Sequence, residues 1–242
     1  MTNVKHWVLG PKMDSLNCPT EDAYCTRNGL QTEMSGGCVR VLEVILPALA
    51  AVLSYLVGSI PSAVIAARLA GRPDPRTVGT RNAGSTNVAL TVGPTAGIAV
   101  LVADLLKGAI CGLAGLILGG ALLGDLCGLA AIVGQIFPVF ASFRGGKGAA
   151  TTLGGYIGIA PALAVIGLVS WGLGLLLIRR AVLATVTAIV ALAVVTVVIQ
   201  EHLVFGVGAA LLTLVAHRND LSAWRRGEMP TVRDALRDNR RE

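Results

Sequence analysis

The residues with the clearest chemical potential form a glycine-rich turn that carries one lysine, Arg144-Gly-Gly-Lys-Gly148. The turn directly precedes an apolar stretch that we expect to begin a helix near Ala149. Free backbone amides, the positive end of a helix and an ammonium group would then meet at one point and bind a phosphate. The first glycine and the strand of a nucleotide-binding P-loop are missing. The turn therefore predicts another kind of phosphate site, and the alternative is a tight loop whose lysine only sets topology.

Two further polar segments are candidates for the same site. Residues 74–87 combine glycine, small hydroxyls, asparagine and arginine, and so offer backbone donors, hydroxyl donors and positive charge to an anion. An ordinary polar linker would look similar. The segment His217-Arg-Asn-Asp follows the last apolar stretch and places an imidazole among arginines. It is either a solvated interfacial patch or, beside two phosphate loops, a ligand.

Asp104 and Lys107 lie three residues apart inside an apolar tract, on one face of a predicted helix. Ionisable groups in such a place are costly, and they either pair with each other or face a site. The spacing alone leaves both possibilities open. The sequence shows neither a metal-ligand cluster nor a Ser-His-Asp order. We therefore expect no metal site, and a hydrolase with its own covalent nucleophile is disfavoured.

The composition indicates that these residues lie in a membrane protein. Of the 242 residues, 54% are hydrophobic and only 14% charged, and the mean hydropathy is +0.71. A water-soluble globule carries about a quarter charged residues. Apolar residues fill most of 41–216, which predicts an all-α polytopic bundle rather than a soluble enzyme or a disordered chain. The net charge of +6 lies in short clusters between apolar stretches, so we expect no nucleic-acid partner.

The basic clusters predict the topology, because Lys and Arg flank membrane spans mainly on the cytosolic side. Successive clusters on one side must be joined by an even number of crossings. This predicts one span at 41–67 and hairpins at 88–142, 149–178 and 181–216. The result is about seven transmembrane helices, some short or re-entrant, with the N-terminus outside and the C-terminus cytosolic. Outer turns fall at 119–125, 157–161 and 200–203. The clusters are Arg68, Arg72, Arg76 and Arg81; Arg144 and Lys147; Arg179 and Arg180; and seven arginines from Arg218 to Arg241.

Three regions follow from this pattern. Residues 1–40 are polar and hold three of the five cysteines. We expect them to be a dispensable extension, either disordered or a mis-assigned start, with Met34 as the true start. Residues 41–216 form the transmembrane domain, with a re-entrant element after Asn87. Residues 217–242 form a basic cytosolic tail.

The motifs together resemble the bacterial acyl-phosphate-dependent glycerol-3-phosphate acyltransferases, the PlsY family. The resemblance covers about 51–228, and the ordered set is more specific than any single motif. The matching pieces are Tyr55-Leu-Val-Gly-Ser-Ile-Pro61, Gly79-Thr-Arg-Asn-Ala-Gly-Ser-Thr-Asn87, Asp104-Leu-Leu-Lys-Gly108, Val133-Gly-Gln-Ile-Phe-Pro-Val-Phe140, Arg144-Gly-Gly-Lys-Gly148, Leu183-Ala-Thr-Val-Thr-Ala188 and His217-Arg-Asn-Asp220.

The resemblance implies transfer of a fatty acyl group from acyl phosphate to the 1-hydroxyl of glycerol 3-phosphate, in the inner membrane of a bacterium with the site on the cytosolic face. The resemblance implies no cofactor. It implies two partners, membrane lipid and the enzyme that forms acyl phosphate. The catalytic residues carried over are Lys147, Asn82 and His217. The substrate-binding residues carried over are Thr80, Arg81, Asn87, Lys107, Gly145, Gly146, Gly148 and Thr185.

The chain departs from the family pattern where an acceptor phosphate would bind. Leu90 replaces an arginine, Gln135 replaces a histidine and Asp220 replaces an asparagine. Charge-assisted bonds contribute about 1.5–3 kcal/mol each, so these changes weaken the binding of a dianion unless Arg81 and Arg180 compensate. The donor site looks intact and the acceptor site remodelled. Two alternatives stay open: the same donor with another acceptor, and an inactive homologue that binds lipid phosphate.

Overall fold

The computed structural model describes residues 44–228, which form helices joined by short turns. Within this range there is no β-strand, so the all-α prediction is confirmed. The expectations for residues 1–40, for Met34 and for the tail beyond residue 228 lie outside the described residues. The helices are α1 (44–58), α2 (Ser62–Leu69), α3 (Ser85–Thr91), α4 (Pro94–Ile136), α5 (Ala149–Ile159), α6 (Pro161–Ile178), α7 (Ala181–Ile199), α8 (Leu203–Ala216) and α9 (Arg218–Arg225).

Four helical stretches are long and apolar enough to cross a membrane, and α8 is a shorter apolar helix. Their outward faces carry large apolar side chains; Leu177 is 78% exposed and Val198 is 74% exposed. Surfaces of this kind are unfavourable in water and suit hydrocarbon. The chain is a multi-pass membrane protein, as its composition predicts. The four stretches are Val44–Leu69, Pro94–Ala141, Pro161–Ile178 and Ala181–Ile199.

Helix α4 is a hairpin of two antiparallel helices, α4a (94–118) and α4b (121–136). The chain reverses at Gly119 and Gly120, and Gly120 has φ 75° and ψ −167°, a conformation that only glycine adopts readily. A Cβ on Gly115 would lie 2.9 Å from Cβ of Cys127, although twelve residues span about 18 Å in a straight helix. The reversal falls inside the predicted turn at 119–125.

The remaining hairpins also turn where the sequence predicts. The α5–α6 turn lies at Ala160, and the α7–α8 turn lies at residues 200–202. The helix lengths are uneven, because α5 has 11 residues and α6 has 18. Helix α5 therefore rises only about 16 Å, roughly half of a hydrocarbon core.

The predicted span at 41–67 is interrupted, and the interruption has a local cause. Pro61 has no N–H to continue the helix, so α1 ends at residue 58 and α2 starts at Ser62. At the break the carbonyl of Ile60 accepts from the backbone N–H of Ser62 at 2.9 Å, outside the regular helical pattern, and it can accept a second bond from another helix. Farther along, a short helix occupies the region of the expected re-entrant element. This helix, α3, begins at Ser85, two residues before Asn87.

Close packing of α4a against α5 fixes the start of α5. A Cβ on Gly154 would overlap the carbonyl of Leu105, and a Cβ on Gly108 would overlap the carbonyl of Thr151. The two backbones are therefore in direct contact, as is common between membrane helices that present small residues to each other. This contact fixes the start of α5, and the lysine before it, relative to α4a.

A buried contact between a carboxylate and an imidazole joins the turns at the opposite end of the bundle. Nδ1 of His202 lies 2.6 Å from Oδ1 of Asp125, and the backbone N–H of Phe205 donates to Oδ2 of Asp125 at 3.2 Å. The carboxylate thus accepts from the first turn of α8, where an anion also interacts well with the helix dipole. One side chain of α4b holds the α7–α8 turn.

We predict that Asp125→Ala lowers the free energy of unfolding by about 3–5 kcal/mol, because His202 and the first turn of α8 lose their partner in a buried site. The measurement is thermal unfolding of the purified protein in detergent. Glu201→Gln, at an exposed neighbouring position, serves as the control and leaves the midpoint unchanged. Equal midpoints for the two variants would contradict the assigned role of Asp125.

Candidate active site

Two loops at the same end of the bundle, the first loop (70–84) and the second loop (137–148), are joined by Arg76. Nη1 of Arg76 donates to the carbonyl of Ala141 at 2.8 Å, while Nη2 lies 2.6 Å from Oδ2 of Asp74. Hydrogen bonding from this guanidinium lowers the pKa of Asp74. Arg76 therefore pairs with a carboxylate of its own loop and donates a hydrogen bond to the backbone of the second loop. The two predicted phosphate loops form one surface.

Asn87 fixes the shape of the first loop from below. Its Nδ2 donates to the carbonyls of Pro75 at 2.6 Å and Asn82 at 3.0 Å, and its Oδ1 accepts from the backbone N–H of Thr80 at 2.8 Å. The side chain is 1% exposed. The resemblance implies a substrate contact for Asn87, but the structure uses its amide to hold the loop backbone. Asn87 is a positioning residue.

A buried polar network lies beneath the loops and involves Lys107. Its Nζ donates to Oδ1 of Asp104 at 2.8 Å, to Oε1 of Gln135 at 2.9 Å and to the carbonyl of Ile60 at 2.6 Å. Nε2 of Gln135 returns a hydrogen bond to Oδ2 of Asp104 at 2.9 Å. Ser62 adds a bond from its hydroxyl to Oδ1 of Asp104. The network ties α2, α4a and α4b together.

The buried position of Lys107 favours internal pairing, and the substrate contact implied by the resemblance stays a prediction. The side chains of Lys107 and Asp104 are 7% and 5% exposed, and the three donor positions of the ammonium group are taken by protein acceptors. A phosphate would have to replace several charge-assisted bonds to reach it. The possibility of internal pairing, which the spacing left open, is the one that the structure adopts.

The predicted amide cradle is partly wrong. The N–H of Gly145 donates to the backbone carbonyl of Ile136 at 3.2 Å, and the N–H of Gly146 donates to the backbone carbonyl of Gln135 at 3.0 Å. These amides complete the end of α4b, where carbonyls lack helical partners, and are therefore unavailable to a phosphate. Gly146 instead allows a close approach, because a Cβ there would lie 2.8 Å from the carbonyl of Ala83 in the first loop.

The start of α5 keeps the donors that a phosphate needs. Gly148 has φ 76°, and no side chain of the described residues caps this helix. The first N–H groups of an α-helix have no partner inside the helix. They follow Lys147 directly in sequence, and the Gly148 turn rather than Gly145 and Gly146 leads into them. The convergence of amides, helix dipole and ammonium on one phosphate stays a prediction.

His217 and Asp220 complete the surroundings of Lys147. Nζ of Lys147 lies 2.6 Å from Oδ2 of Asp220, and both side chains are about a quarter exposed, at 24% and 25%. His217 is 3% exposed, with Nδ1 2.9 Å from the carbonyl of Thr213. Burial lowers the pKa of His217, and the nearby Lys147 lowers it further. The imidazole is therefore neutral at pH 7.

The remaining predicted residues divide between the first loop and another part of the bundle. Thr80 and Arg81 are exposed, Asn82 is partly exposed, and Arg81 has a positive φ of 55°. Thr185 lies elsewhere, because its hydroxyl accepts from Nε1 of Trp171 and donates to the carbonyl of Ala181. Thr185 thus links α6 to α7, and its implied substrate contact stays a prediction.

A small open cleft runs between the two loops and the start of α2. Gln135 closes it from below and thereby connects it to the buried network. Sequence reasoning missed Arg76 and Ser62, and it read Gln135 only as the loss of an imidazole. Two sequence features could have indicated these roles. Pro61 interrupts the helix beside Ile60 and Ser62, and Arg76 follows Asp74 by two residues. The cleft is lined by Ile60, Pro61, Ser62, Ala63, Val64, Ala83, Gln135, Pro138, Ala141, Arg144, Gly145 and Gly146.

The fold and the site define a helical integral membrane protein with two connected polar loops at one end. The family model described as glycerol-3-phosphate acyltransferase matches residues 48–227. A glycerol-3-phosphate acyltransferase 2 from Bacillus anthracis is 35% identical over 172 residues, covering 70% of this chain and 90% of that protein. A glycerol-3-phosphate acyltransferase from Jannaschia sp. (strain CCS1) is 37% identical, covering 78% and 94%.

Solved structures agree with these relatives. The crystal structure of PlsY in its glycerol 3-phosphate form superimposes with a TM-score of 0.73 at 30% identity, covering 76% of this chain and 94% of that one. The lysophosphatidic acid form gives 0.72 at 28% identity, covering 78% and 98%. The chain belongs to the glycerol-3-phosphate acyltransferase family, and the resemblance predicted from its motifs is confirmed.

We predict that Asn87→Ala loosens the first loop and lowers the free energy of unfolding by about 2–4 kcal/mol, since hydrogen bonds to Pro75, Val78, Thr80 and Asn82 are lost at about 1 kcal/mol each. Thermal unfolding and limited proteolysis of residues 70–84 measure the effect. Thr86→Ala changes an exposed neighbour in α3 and should leave both readouts unchanged. Cleavage of residues 70–84 at the same rate in Asn87→Ala and in the wild type would contradict this role.

Proposed function

We propose that this protein transfers a fatty acyl group from acyl phosphate to the 1-hydroxyl of glycerol 3-phosphate, yielding 1-acylglycerol 3-phosphate and inorganic phosphate. The observation that carries the proposal is the position of Lys147 at the uncapped start of α5, beside a neutral His217. Its relatives are named for this acyl transfer, and PlsY has glycerol 3-phosphate and lysophosphatidic acid forms. The donor would come from an enzyme that makes acyl phosphates.

The chemistry asks mainly for alignment and charge stabilisation. An acyl phosphate is a mixed anhydride, so its carbonyl is already activated and phosphate is a good leaving group. Lys147 and the first free amides of α5 stabilise the charge that grows on the leaving phosphate. The acceptor hydroxyl attacks the carbonyl carbon, the bond from carbon to the phosphate oxygen breaks, and the hydroxyl proton passes to a phosphate oxygen. Holding both anions together supplies much of the rate.

Thr80, Arg81 and Asn82 are the residues that we assign to the acceptor. They lie on the first loop, whose backbone is held by Asn87 and whose contact with the second loop is held by Arg76. Arg81 is exposed and supplies positive charge to the acceptor phosphate in a loop where the family arginine is replaced by Leu90. The rigid support matters because small misplacements of a reacting group slow catalysis strongly.

His217 supplies an uncharged acceptor beside Lys147. A carbonyl only accepts hydrogen bonds, so Nδ1 of His217 must carry the proton that bonds to Thr213. In the neutral ring Nε2 is then free to accept a hydrogen bond from a substrate hydroxyl or from the lysine. Because the pKa of His217 is lowered, this state persists below the pH at which an exposed histidine becomes charged.

We predict that Lys147→Ala reduces acyl transfer at least about 100-fold, the typical effect of removing one preorganised transition-state donor. The assay combines purified protein with palmitoyl phosphate and radiolabelled glycerol 3-phosphate and measures labelled lysophosphatidic acid. Lys147→Arg keeps the charge and should retain part of the activity. Arg225→Gln removes an exposed charge on α9 and serves as the control.

The same assay separates the alternatives. If donor-dependent phosphate release occurred only with other phosphorylated or polyol acceptors, one of those compounds rather than glycerol 3-phosphate would be the acceptor. No turnover with any acceptor would overturn the enzymatic proposal and favour a homologue that only binds lipid phosphate.

We further propose seven crossings of a bacterial inner membrane, formed by α1 with α2, α4a, α4b, α5, α6, α7 and α8, with an outside N-terminus and a cytosolic site. Support comes from basic residues at the loop end and from the turns of residues 119–120, 160 and 200–202, which contain no Lys or Arg. Contacts such as Arg76 with Ala141 and Lys147 with Asp220 require these loops to share one side.

Single cysteines placed at positions 72–86 and 220–228 test this arrangement. Both sets should resist a membrane-impermeant thiol reagent in intact cells and react after permeabilisation. A cysteine at position 201 should react in intact cells and serves as the matched control. Labelling of either loop set from outside would contradict the seven-crossing scheme.

A further inference from the structure

The ion pair between Lys147 and Asp220 is formed across two parts of the chain. Lys147 belongs to the second loop, whereas Asp220 lies in the first turn of α9, directly after His217. A carboxylate at this position interacts favourably with the helix dipole of α9. Asp220 is therefore held at its place by its own helix, and it puts a negative charge 2.6 Å from Nζ of Lys147.

A carboxylate at this distance occupies the position that a phosphate oxygen needs. Hydrogen-bonded ammonium groups contact carboxylate and phosphate oxygens at similar distances, about 2.7–2.9 Å. A phosphate bound to Lys147 with Asp220 in place would bring two negative charges together, which is unfavourable in a partly desolvated site. Binding of one anion therefore requires displacement of the other.

The pair is built to open at little cost. Both side chains remain about a quarter exposed, and ion pairs of this kind stabilise a fold only weakly. Oδ2 of Asp220 is buried but has no hydrogen-bond partner among the described residues, so opening the pair breaks no hydrogen bond. Helix α9 contains no buried residue, so a shift of this helix uncovers no apolar core. His217 beside the pair is neutral because burial lowers its pKa, and it supplies no competing positive charge.

We propose that Asp220 is an internal counter-anion of Lys147 that competes with substrate and product phosphate groups and thereby speeds the release of inorganic phosphate. The proposal rests on the proposed function, in which phosphate is the leaving group at Lys147. After acyl transfer, Asp220 returns to the lysine as the phosphate departs. The cost of this device is weaker binding of the acyl phosphate donor.

The test compares Asp220→Asn, which keeps the shape but removes the charge, with Asp220→Glu and with Glu228→Gln. Glu228 pairs with Arg226 at the exposed end of the same region, so its variant is a matched loss of one carboxylate away from the lysine. The binding of inorganic phosphate to each purified protein is measured by calorimetry. Steady-state KM for palmitoyl phosphate, kcat and inhibition by inorganic phosphate are measured in parallel.

Asp220→Asn should bind inorganic phosphate about 3- to 10-fold more tightly than wild type, with a lower KM for the donor and stronger inhibition by phosphate. The gain should shrink at high salt, because screening weakens the competition. Asp220→Glu and Glu228→Gln should bind phosphate like the wild type. Thermal unfolding confirms that all variants are folded.

Unchanged or weaker phosphate binding by a folded Asp220→Asn variant would overturn the proposal and leave the pair a structural contact. An equal gain in phosphate affinity in Glu228→Gln would also overturn the proposal, because the gain would then come from the net charge of the protein and not from the position of Asp220. The calorimetric result decides the proposal independently of turnover. A wild-type protein that binds phosphate but makes no lysophosphatidic acid would contradict the proposed function instead.

Discussion

The site depends on the need to satisfy polar groups inside an apolar bundle. Lys107, Asp104 and Gln135 are nearly inaccessible, and a single unpaired charge at such depth costs several kcal/mol. Here each group is matched by another, and Lys107 also bonds to the carbonyl of Ile60 at the break between α1 and α2. Because the partners come from α2, α4a and α4b, satisfying the charges also fixes the floor of the cleft.

Backbone contacts place the reactive lysine with similar strictness. Gly108 and Gly154 let α4a and α5 touch, so the short helix α5 has little freedom to tilt or slide. Above it, Arg76 and Asn87 hold the first loop against the second. Lys147 and Asp220 pair with each other and remain about a quarter exposed. The proposed acyl transfer needs firm support around them, since the site must align two anions and then release one.

Much of the site could be predicted because its residues lie close together in sequence. The Arg144-Gly-Gly-Lys-Gly148 turn and the helix after it are local features, and local features report helix starts and free amides directly. The roles of Gly145, Gly146, Lys107 and Thr185 could not be read in the same way. Whether an amide, ammonium or hydroxyl is free depends on its partner, and the partners here come from distant segments or from carbonyls at the end of another helix.

By itself the sequence determined that the chain is a helical membrane protein, where its hairpins turn, and to which family it belongs. These properties follow from hydropathy, charge placement and ordered motifs, which are additive along the chain. Only the tertiary structure decided that Lys107 pairs internally, that Arg76 joins the loops, and that Asp220 faces Lys147. Such pairings depend on the packing of helices that are far apart in sequence, because ion pairs and hydrogen bonds act only over a few ångströms.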